Sequence, residues 1–326
     1  MLNDEDKKIE CEKYIKPDFP YSIGISLGEW QCNRACRMCP MYTQKIETPR
    51  YMTDEVFQRA CESIGDREVS LEISAYGEPF QHLKADKFLM DGRKFCKNAR
   101  IVWVTNGSLL DEERCEKIVD SGIDVLQFSL DAGSAETYKW LTGSSAYEKV
   151  CRNLETLAEI KQKRGADHLY IQTHIIGVKE MFHEFKGFIE RWKDIVDGVY
   201  VREFGNWAGL VNENNVTPIH VNSKGDLMDE DHSLPERYPC AWLWYATKIE
   251  PNGDVSKCFV HITGEKKPVG NIMEKSLAEI WQDDNLSLYR DLHCSDRYDE
   301  LEYCEKCIVW SLFPHLWKRV DGKWQY

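Results

Sequence analysis

The chain has 326 residues and a formal net charge of −13, and 42% of its residues are hydrophobic. This length allows two domains with cores of their own, whereas the acidic balance argues against a nucleic-acid or membrane surface, which needs clustered Lys and Arg. No apolar run approaches the roughly 20 residues that span a bilayer. Thirteen cysteines without a targeting segment predict a cytoplasmic protein whose thiols bind metal rather than form disulfides.

The first informative element is the run CNRACRMC, which contains Cys32, Cys36 and Cys39. A structural zinc site normally takes four nitrogen or sulfur ligands, and the first histidine of the chain is His82, far from this loop. A [4Fe–4S] cluster takes one thiolate on each iron. Three thiolates at this spacing therefore predict an iron–sulfur cluster with one iron open to a non-protein ligand.

Strand-like and helix-like segments alternate after this loop. The predicted helices span 53–65, 111–122, 146–164 and 182–193. The predicted strands span 69–75, 100–104, 124–130, 169–177 and 198–204. This alternation indicates parallel βαβ units in an α/β protein. A dinucleotide-binding fold is the competing interpretation, but no GxGxxG follows the first strand.

Polar or glycine residues stand at or near the ends of these strands. Ser129 and Asp131 have side chains suited to ribose hydroxyls, and the period of two places Gln172 and His174 on one strand face. The full set is Tyr76, Gly77, Glu78, Pro79, Asn106, Ser129, Asp131, Gln172 and His174. Each group alone is ordinary turn or core chemistry, but their order after the cysteine loop argues for one shared site.

The loop CNRACRMCP and this ordered set resemble the radical S-adenosylmethionine (SAM) enzymes. The resemblance implies a partial (β/α)6 barrel with its functional groups at the carboxyl ends of the strands. It implies that SAM chelates the open iron and is cleaved to methionine and a 5′-deoxyadenosyl radical. It also implies SAM contacts from Met38 and from the strand-end groups other than His174. Tyr76 departs from the family pattern, since it replaces the first glycine of the GGEP element.

A second group of cysteines follows a polar segment, 211–237, that is predicted to connect two domains. The dipeptide Asn252-Gly253 predicts a hairpin that returns the chain so that Cys258 faces Cys240. Cys304 and Cys307 form a CxxC pair. Four thiolates form a closed set, for which a zinc ribbon is the alternative to an iron–sulfur cluster.

This half of the chain resembles the SPASM and twitch domains of the same superfamily. A full SPASM domain carries seven cysteines, whereas no cysteine follows Cys307 here. The resemblance therefore implies one auxiliary [4Fe–4S] cluster held by four protein thiolates, suited to electron transfer. The predicted organisation is an N-terminal extension (1–20), a radical SAM barrel (21–210), the connector (211–237) and a twitch-type domain with an aromatic tail (238–326).

The substrate contacts are predicted from strand geometry. Tyr200 and Arg202 share a strand face, and together with His174 they are candidates to contact substrate. The alternative is that they form a salt bridge and core aromatics of the barrel. Cys294 is not a predicted cluster ligand, but it lies near the auxiliary cysteines in sequence and is a candidate hydrogen-atom donor. Packing is the commoner role of such a thiol.

Two reactions fit these expectations, and both use a small-molecule substrate. The first oxidises a small polyol, aminocyclitol or sugar-type alcohol, with the auxiliary cluster as electron acceptor, as in the aminocyclitol alcohol dehydrogenases of this subgroup. The second is an epimerisation completed by a thiol. Modification of a ribosomal peptide is a further alternative, and a non-catalytic electron carrier is the alternative from another class. Either enzyme would need a reductant such as flavodoxin or ferredoxin.

Overall fold

The computed structural model describes residues 18–42, 50–205, 207–211, 215–228, 236–259, 268–301, 303–305, 307, 309–311 and 316–325. Most of the predicted N-terminal extension and parts of the predicted connector lie outside these ranges. One sheet of ten strands organises the described part of the chain. Its strands are β1 (Ser22–Gln31), β2 (Arg50–Tyr51), β3 (Ser70–Gly77), β4 (Arg100–Thr105), β5 (Val125–Asp131), β6 (Tyr170–Gly177), β7 (Gly198–Glu203), β8 (Ala246–Ile249), β9 (Asp254–Ser256) and β10 (Gly270–Asn271).

Six parallel strands form the barrel part of this sheet in the order β1-β3-β4-β5-β6-β7. The short strand β2 pairs antiparallel with β1. The helices are α1 (Asp54–Ile64), α2 (Ala85–Phe95), α3 (Glu112–Asp120), α4 (Ala135–Thr142), α5 (Tyr147–Arg164), α6 (Phe185–Trp192), α7 (Trp242–Tyr245), α8 (Leu277–Trp281) and α9 (Asp284–Cys294). Each of the predicted strands is present, and the predicted partial (β/α)6 barrel is confirmed.

Local signals explain where the helices start and stop. The Thr53 hydroxyl accepts a hydrogen bond from the Val56 amide at 3.2 Å, and Gly65 ends α1 at φ +62°. The predicted helix 182–193 differs from the structure, because a 3₁₀ helix, Lys179–Glu184, occupies its first turn before α6 begins. The Lys179 amide donates to the Thr217 carbonyl at 2.8 Å, which draws the start of this segment outside a regular helix.

The two faces of the barrel strands differ in polarity. Ile25, Ile73, Trp103 and Phe128 are fully buried in the apolar core. The alternate residues face the inside of the barrel, which we call the lumen, and many of them are polar. The lumen residues include Glu72, Ser74, Gln127, Gln172, His174, Tyr200 and Arg202. A polar lumen leaves room and hydrogen-bonding groups for a ligand.

The C-terminal cysteine region joins the barrel through its sheet. Strand β8 pairs in parallel with β1, from Ser22 opposite Ala246 to Ile25 opposite Ile249. Strands β8 and β9 form the predicted hairpin around Asn252-Gly253, and β10 pairs with β9. The two cysteine regions therefore share one continuous sheet. None of the helices in the described residues is both long enough and apolar enough to cross a membrane.

Candidate active site

The cysteine loop begins where β1 meets the end of β3. Gly77 has φ +141°, and a Cβ atom there would lie 1.6 Å from the Gln31 carbonyl oxygen. The Glu78 amide donates to that same oxygen at 2.6 Å. Only glycine allows this approach, which holds the YGEP element against the start of the cysteine loop.

Arg34 anchors the cysteine loop from within. Its buried guanidinium donates to the Asn106 carbonyl at 2.6 Å and to the Ser129 carbonyl at 3.0 Å. It also pairs with the Asp131 carboxylate at 3.4 Å and lies over the Tyr138 ring at 4.9 Å. One side chain thus fixes the loop to the ends of β4 and β5. Sequence reasoning did not predict a role for Arg34. Its position between the predicted cluster ligands Cys32 and Cys36 could have indicated one.

The remaining strand-end groups hold the loop from outside. The side-chain nitrogen of Asn106, Nδ2, donates to Asn33 Oδ1 at 3.0 Å and lies 3.8 Å from the Cys32 sulfur. The buried Glu78 carboxylate accepts hydrogen bonds from the Thr105 hydroxyl at 2.7 Å and from the backbone amide of Asn106 at 2.6 Å. These contacts are internal to the protein. Asn106 and Glu78 therefore shape the loop, whereas their predicted contact with SAM stays a proposal.

The three thiols of the loop fit a cluster by their chemistry. Burial raises the pKa of Cys32, Cys36 and Cys39, that of Cys39 to about 12. Three partly buried thiols on one eight-residue loop are a donor set that coordination to iron would hold as thiolates. We therefore assign these residues as candidate ligands of the SAM-binding cluster.

A buried polar group crosses from β5 to β7 in the lumen. His174 Nε2 lies 3.1 Å from Asp131 Oδ1, and the Tyr200 ring stacks on the imidazole at 5.4 Å between centroids. Burial alone would raise the pKa of Asp131, but the hydrogen bond with His174 and the charge of Arg34 hold it below its ordinary value. Burial lowers the pKa of His174, so the neutral imidazole donates from Nε2 to the carboxylate.

His174 has one ring nitrogen left over. Nδ1 is buried and has no hydrogen-bond partner among the described residues. With Nε2 protonated, Nδ1 is an acceptor inside the lumen. The structure therefore brings three predicted residues together, His174, Tyr200 and Asp131. Gln172 lies one layer deeper, where its amide donates to Gln127 at 3.3 Å.

Two charged lumen residues were missed by sequence reasoning. Glu72 of β3 interacts electrostatically with Arg202 and Lys248, and burial raises the pKa of its carboxyl. Lys248 of β8 is buried, and its ammonium lies 2.6 Å from Glu250. Burial lowers the pKa of Lys248. Period-two alternation was a signal for Glu72, but Lys248 enters the lumen only because β8 pairs with β1.

Tyr76 links the two cysteine regions. Its hydroxyl donates to the Phe259 carbonyl, next to Cys258, at 3.0 Å, and the Lys248 ammonium lies 3.5 Å from its ring centroid. The Trp207 ring lies 6.4 Å away, and Trp207 Nε1 donates to the Met38 carbonyl at 3.1 Å. The departure from GGEP thus fills the space between the regions with an aromatic ring.

The second group of cysteines lines one cavity, which we call the auxiliary cavity. The cavity is lined by Arg237, Cys240, Trp242, Leu243, Lys257, Cys258, His293, Cys304, Cys307, Val309 and Trp310. Burial raises the pKa of Cys240, that of Cys304 to about 12 and that of Cys307 to about 11. In the described part of the chain, no group of three or more His, Cys, Asp or Glu side chains has the spacing of a single-ion site. Four partly buried thiols around one space fit an auxiliary cluster.

Cys294 lies apart from both groups of cysteines. It ends α9 and is absent from the lining of the auxiliary cavity. Burial raises the pKa of its thiol to about 11, and Asp291 and Asp296 act in the same direction. The structure therefore does not bring Cys294 together with the other predicted catalytic residues.

Two protein-family models match the chain in the regions just described. The model of the radical SAM superfamily matches residues 31–191. The model of the SPASM domain, an iron–sulfur cluster-binding domain, matches residues 240–308. This chain belongs to the radical SAM superfamily. The predicted membership, the enzymatic nature and the cofactors SAM and iron–sulfur clusters are thereby confirmed, and iron–sulfur replaces the zinc alternative for the second site.

Two curated relatives differ in how much they cover. The chain is 21% identical over 284 residues to the S-adenosyl-L-methionine-dependent 2-deoxy-scyllo-inosamine dehydrogenase of Niallia circulans, which covers 85% of this chain and 88% of that protein. It is 38% identical over 88 residues to an uncharacterized protein of Methanocaldococcus jannaschii. That second match covers 26% of this chain and 30% of the relative.

Two solved structures resemble this fold. BtrN in complex with AdoMet and 2-DOIA superimposes with a TM-score of 0.58 at 19% identity, covering 88% of this chain and 92% of BtrN. Streptococcus suis SuiB bound to the precursor peptide SuiA gives a TM-score of 0.66 at 15% identity, covering 94% of this chain and 74% of SuiB. At these identities the likeness establishes the fold.

Proposed function

We propose that this radical SAM enzyme oxidises a secondary alcohol of a small polyol, aminocyclitol or sugar to a ketone. The observation that carries the proposal is the auxiliary cavity, whose four thiols supply one ligand for each iron of a single cluster. Such a cluster has no open iron for substrate, so its role is to accept an electron. The similarity to an aminocyclitol dehydrogenase supports this assignment.

When bound, SAM and the two clusters supply hydrogen-atom abstraction at carbon and a one-electron acceptor. The protein must then remove the hydroxyl proton of the substrate. His174 Nδ1 is a buried acceptor whose imidazole is oriented by Asp131 through Nε2, and we assign it as the proton acceptor. Overall the substrate loses one hydrogen atom, one proton and one electron, which leaves a carbonyl.

The charges of the lumen favour a small polar substrate. Glu72 of β3 and Arg202 of β7 lie on the lumen face of their strands and offer an acceptor and a donor, while Lys248 of β8 adds a positive charge that is paired with Glu250. Hydroxyl and amino groups of a sugar or cyclitol can hydrogen-bond to Glu72 and Arg202, whereas an apolar substrate would offer these two charged groups no such bonds. We assign Tyr200 and Arg202 to substrate positioning.

The test measures release of 5′-deoxyadenosine and formation of ketone by the anaerobically reconstituted enzyme with inositols, aminocyclitols and sugars. We expect 5′-deoxyadenosine together with a product two mass units lighter than the substrate. We expect the Cys304→Ala/Cys307→Ala variant to release 5′-deoxyadenosine but to lose at least about tenfold in ketone formation, because the electron has no acceptor. Cys115→Ala, a buried helical thiol in α3, is the matched control.

Three outcomes contradict the proposal. An unchanged rate of ketone formation without Cys304 and Cys307 removes the auxiliary cluster from the reaction. Solvent deuterium at carbon without a carbonyl product indicates epimerisation instead. If the reduced enzyme never releases 5′-deoxyadenosine from SAM, the enzymatic reaction itself is lost.

A peptide substrate is the second candidate, because the fold also resembles SuiB bound to its precursor peptide. The match spans 94% of this chain and 74% of SuiB. A cross-linked or oxidised peptide product, with no turnover of polyols, would favour this candidate over alcohol oxidation.

A reductant is also required, and we place its docking site beside the SAM-cluster loop. A surface groove there is lined by Ala35, Arg37, Tyr42, Glu136, Lys139, Trp140 and Gly143. Arg37 Nε donates to the Trp140 carbonyl at 2.8 Å, which holds a cationic side chain next to Cys36. A basic and aromatic surface suits an acidic donor such as flavodoxin or ferredoxin.

A further inference from the structure

Unpartnered nitrogen donors gather around the auxiliary cavity. Among the described residues, Arg237 Nε, Trp242 Nε1 and His293 Nε2 are buried side-chain nitrogens without a hydrogen-bond partner, and all three residues line this cavity. Buried polar groups in folded proteins are normally paired, so an orphaned group calls for a specific explanation such as an absent ion or ligand. Three of them around one space call for one shared partner.

The protonation of His293 follows from its own contacts. The amide of Cys240 donates to His293 Nδ1 at 3.3 Å, so Nδ1 is an acceptor and carries no proton. In a neutral imidazole the proton is then on Nε2. This side chain is 1% exposed, and water does not reach Nε2. His293 therefore presents a single N–H donor that nothing in the described protein accepts.

The other two donors need no assignment of a tautomer. The indole nitrogen of Trp242 and the guanidinium nitrogens of Arg237 always carry hydrogen. Arg237 Nη1 and Nη2 already donate to the carbonyls of Glu305 and Cys304, which clamps the CxxC pair and leaves Nε over. The cavity lining contains Lys257 and no carboxylate among the described residues. The surroundings of the four thiols are thus rich in donors and positive charge.

We propose that Arg237, Trp242 and His293 donate N–H···S hydrogen bonds to the sulfurs of the auxiliary cluster and raise its reduction potential. The inference rests on the proposed function, in which that cluster accepts an electron. A reduced cluster carries one more negative charge, so donors stabilise it more than the oxidised form. The residues are positioning groups, since each acts on the substrate only through the cluster.

The test measures the reduction potential of the auxiliary cluster without any turnover. Protein with Cys32, Cys36 and Cys39 replaced by alanine carries only this cluster, and its potential is titrated by electron paramagnetic resonance. We expect Trp242→Phe and His293→Leu each to lower the potential. For the double variant we expect about a tenfold change in the one-electron equilibrium, about 59 mV. His293→Gln, which keeps a terminal N–H, should restore much of the shift.

Trp244→Phe is the matched control. Trp244 lies in the same helix α7 but is absent from the cavity lining, and its ring packs against Trp317 at 4.9 Å. It should leave the potential unchanged. An unchanged potential in Trp242→Phe and His293→Leu, with the cluster still present by iron content, overturns the proposal.

A second measurement covers variants that lose the cluster. In the otherwise native protein, ¹⁵N-labelled tryptophan or histidine should give a nitrogen coupling to the reduced auxiliary cluster in pulsed electron paramagnetic resonance. Absence of both couplings overturns the proposal whatever the variants do. Failure of alcohol oxidation would leave these readouts intact, so the two proposals fail separately.

Discussion

Single side chains in the lumen acquire their chemistry from burial and from one defined partner. Asp131 keeps its charge because His174 and Arg34 hold its pKa down, and His174 stays neutral because it is buried. Asp131 also has φ +72°, an uncommon conformation for a residue with a side chain. Backbone strain of this kind is concentrated at functional sites, which agrees with the predicted role of Asp131 at the strand end.

The low pKa of His174 has a measurable consequence for stability. As pH falls through about 6.5, the ordinary pKa of histidine, the unfolded chain binds a proton at this residue more readily than the folded chain, in which the pKa of His174 is lower. The free energy of unfolding must therefore fall as pH falls through this value. One such histidine lowers the free energy of unfolding by up to about 1.4 kcal/mol for each pH unit below pH 6.5. We expect this contribution to be absent in His174→Gln.

The measurement is the thermal unfolding of the anaerobic protein at several pH values, compared between variants. His168→Gln, at an exposed position between α5 and β6, is the control that should keep the slope of the native protein. An identical pH slope in His174→Gln would contradict a buried neutral imidazole in the folded state.

At this scale, sequence reasoning reaches furthest where the chemistry is local. The spacing of Cys32, Cys36 and Cys39 within one loop specifies three thiolates, whatever the rest of the chain does. The lumen partners of Glu72 and the orphaned nitrogen of His293 depend on elements far apart in the sequence, so no local pattern reveals them. Cys294 illustrates the converse, since nearness in sequence to the auxiliary cysteines did not bring it into their cavity.

At the scale of elements, the ends of strands and helices follow short-range rules. Thr53 and Asp111 cap α1 and α3 as their side chains predict, and Asn252-Gly253 turns the β8–β9 hairpin. The 3₁₀ turn before α6 was not predictable in this way. It depends on a contact with Thr217, which lies in a connector whose position is set by tertiary structure.

The contact between β1 and β3 gives a prediction for one glycine. Gly77→Ala places a Cβ on the Gln31 carbonyl at a φ of +141°, so we expect a loss of about 3 kcal/mol or more in the free energy of unfolding. Gly187→Ala is the control, because this glycine lies inside α6 with no atom within 4 Å of an added Cβ.

Denaturant unfolding of both variants provides the measurement. The helical substitution should raise stability by about 0.5–1 kcal/mol, since alanine restricts the unfolded chain and favours helix. Equal stability of Gly77→Ala and the unsubstituted protein would show that the two strand ends can separate without cost.

For the whole molecule, the main departure from a two-domain picture is the β1–β8 pair. Sequence analysis predicts a boundary near residue 238, and the change in composition there is real. The structure nevertheless continues the barrel sheet through β8, with four residue pairs between Ser22–Ile25 and Ala246–Ile249. Composition does not reveal strand pairing across more than two hundred residues, because the period-two pattern of a strand shows which of its faces is buried and not which strand lies beside it.

A truncated chain tests this coupling. A protein that ends at residue 237 leaves Ser22–Ile25 of β1 without their outer partner strand and removes Lys248 from the lumen, so we expect it to aggregate or to remain unfolded. A chain that ends at residue 317 keeps the buried Leu316 and Trp317, loses the separate two-stranded sheet of β11 (Lys318–Val320) and β12 (Lys323–Gln325), and should stay monomeric. Size-exclusion chromatography and iron content distinguish the two truncated proteins. A monomeric, iron-loaded protein that ends at residue 237 would show that the barrel does not need the β1–β8 pair.

The same strand pair bears on how the protein is made. During synthesis β1 is the first strand of the sheet to appear, and β8 appears some 215 residues later. At translation rates of about 5–20 residues per second, one edge of the nascent sheet waits roughly 10 to 40 seconds for its neighbour. Cluster insertion into the Cys32 loop can precede completion of the sheet, whereas the auxiliary cavity forms only at the end. The order of the cysteines along the chain thus sets an order of assembly, in which Ser22–Ile25 of β1 lack their outer partner strand until β8 has been synthesised.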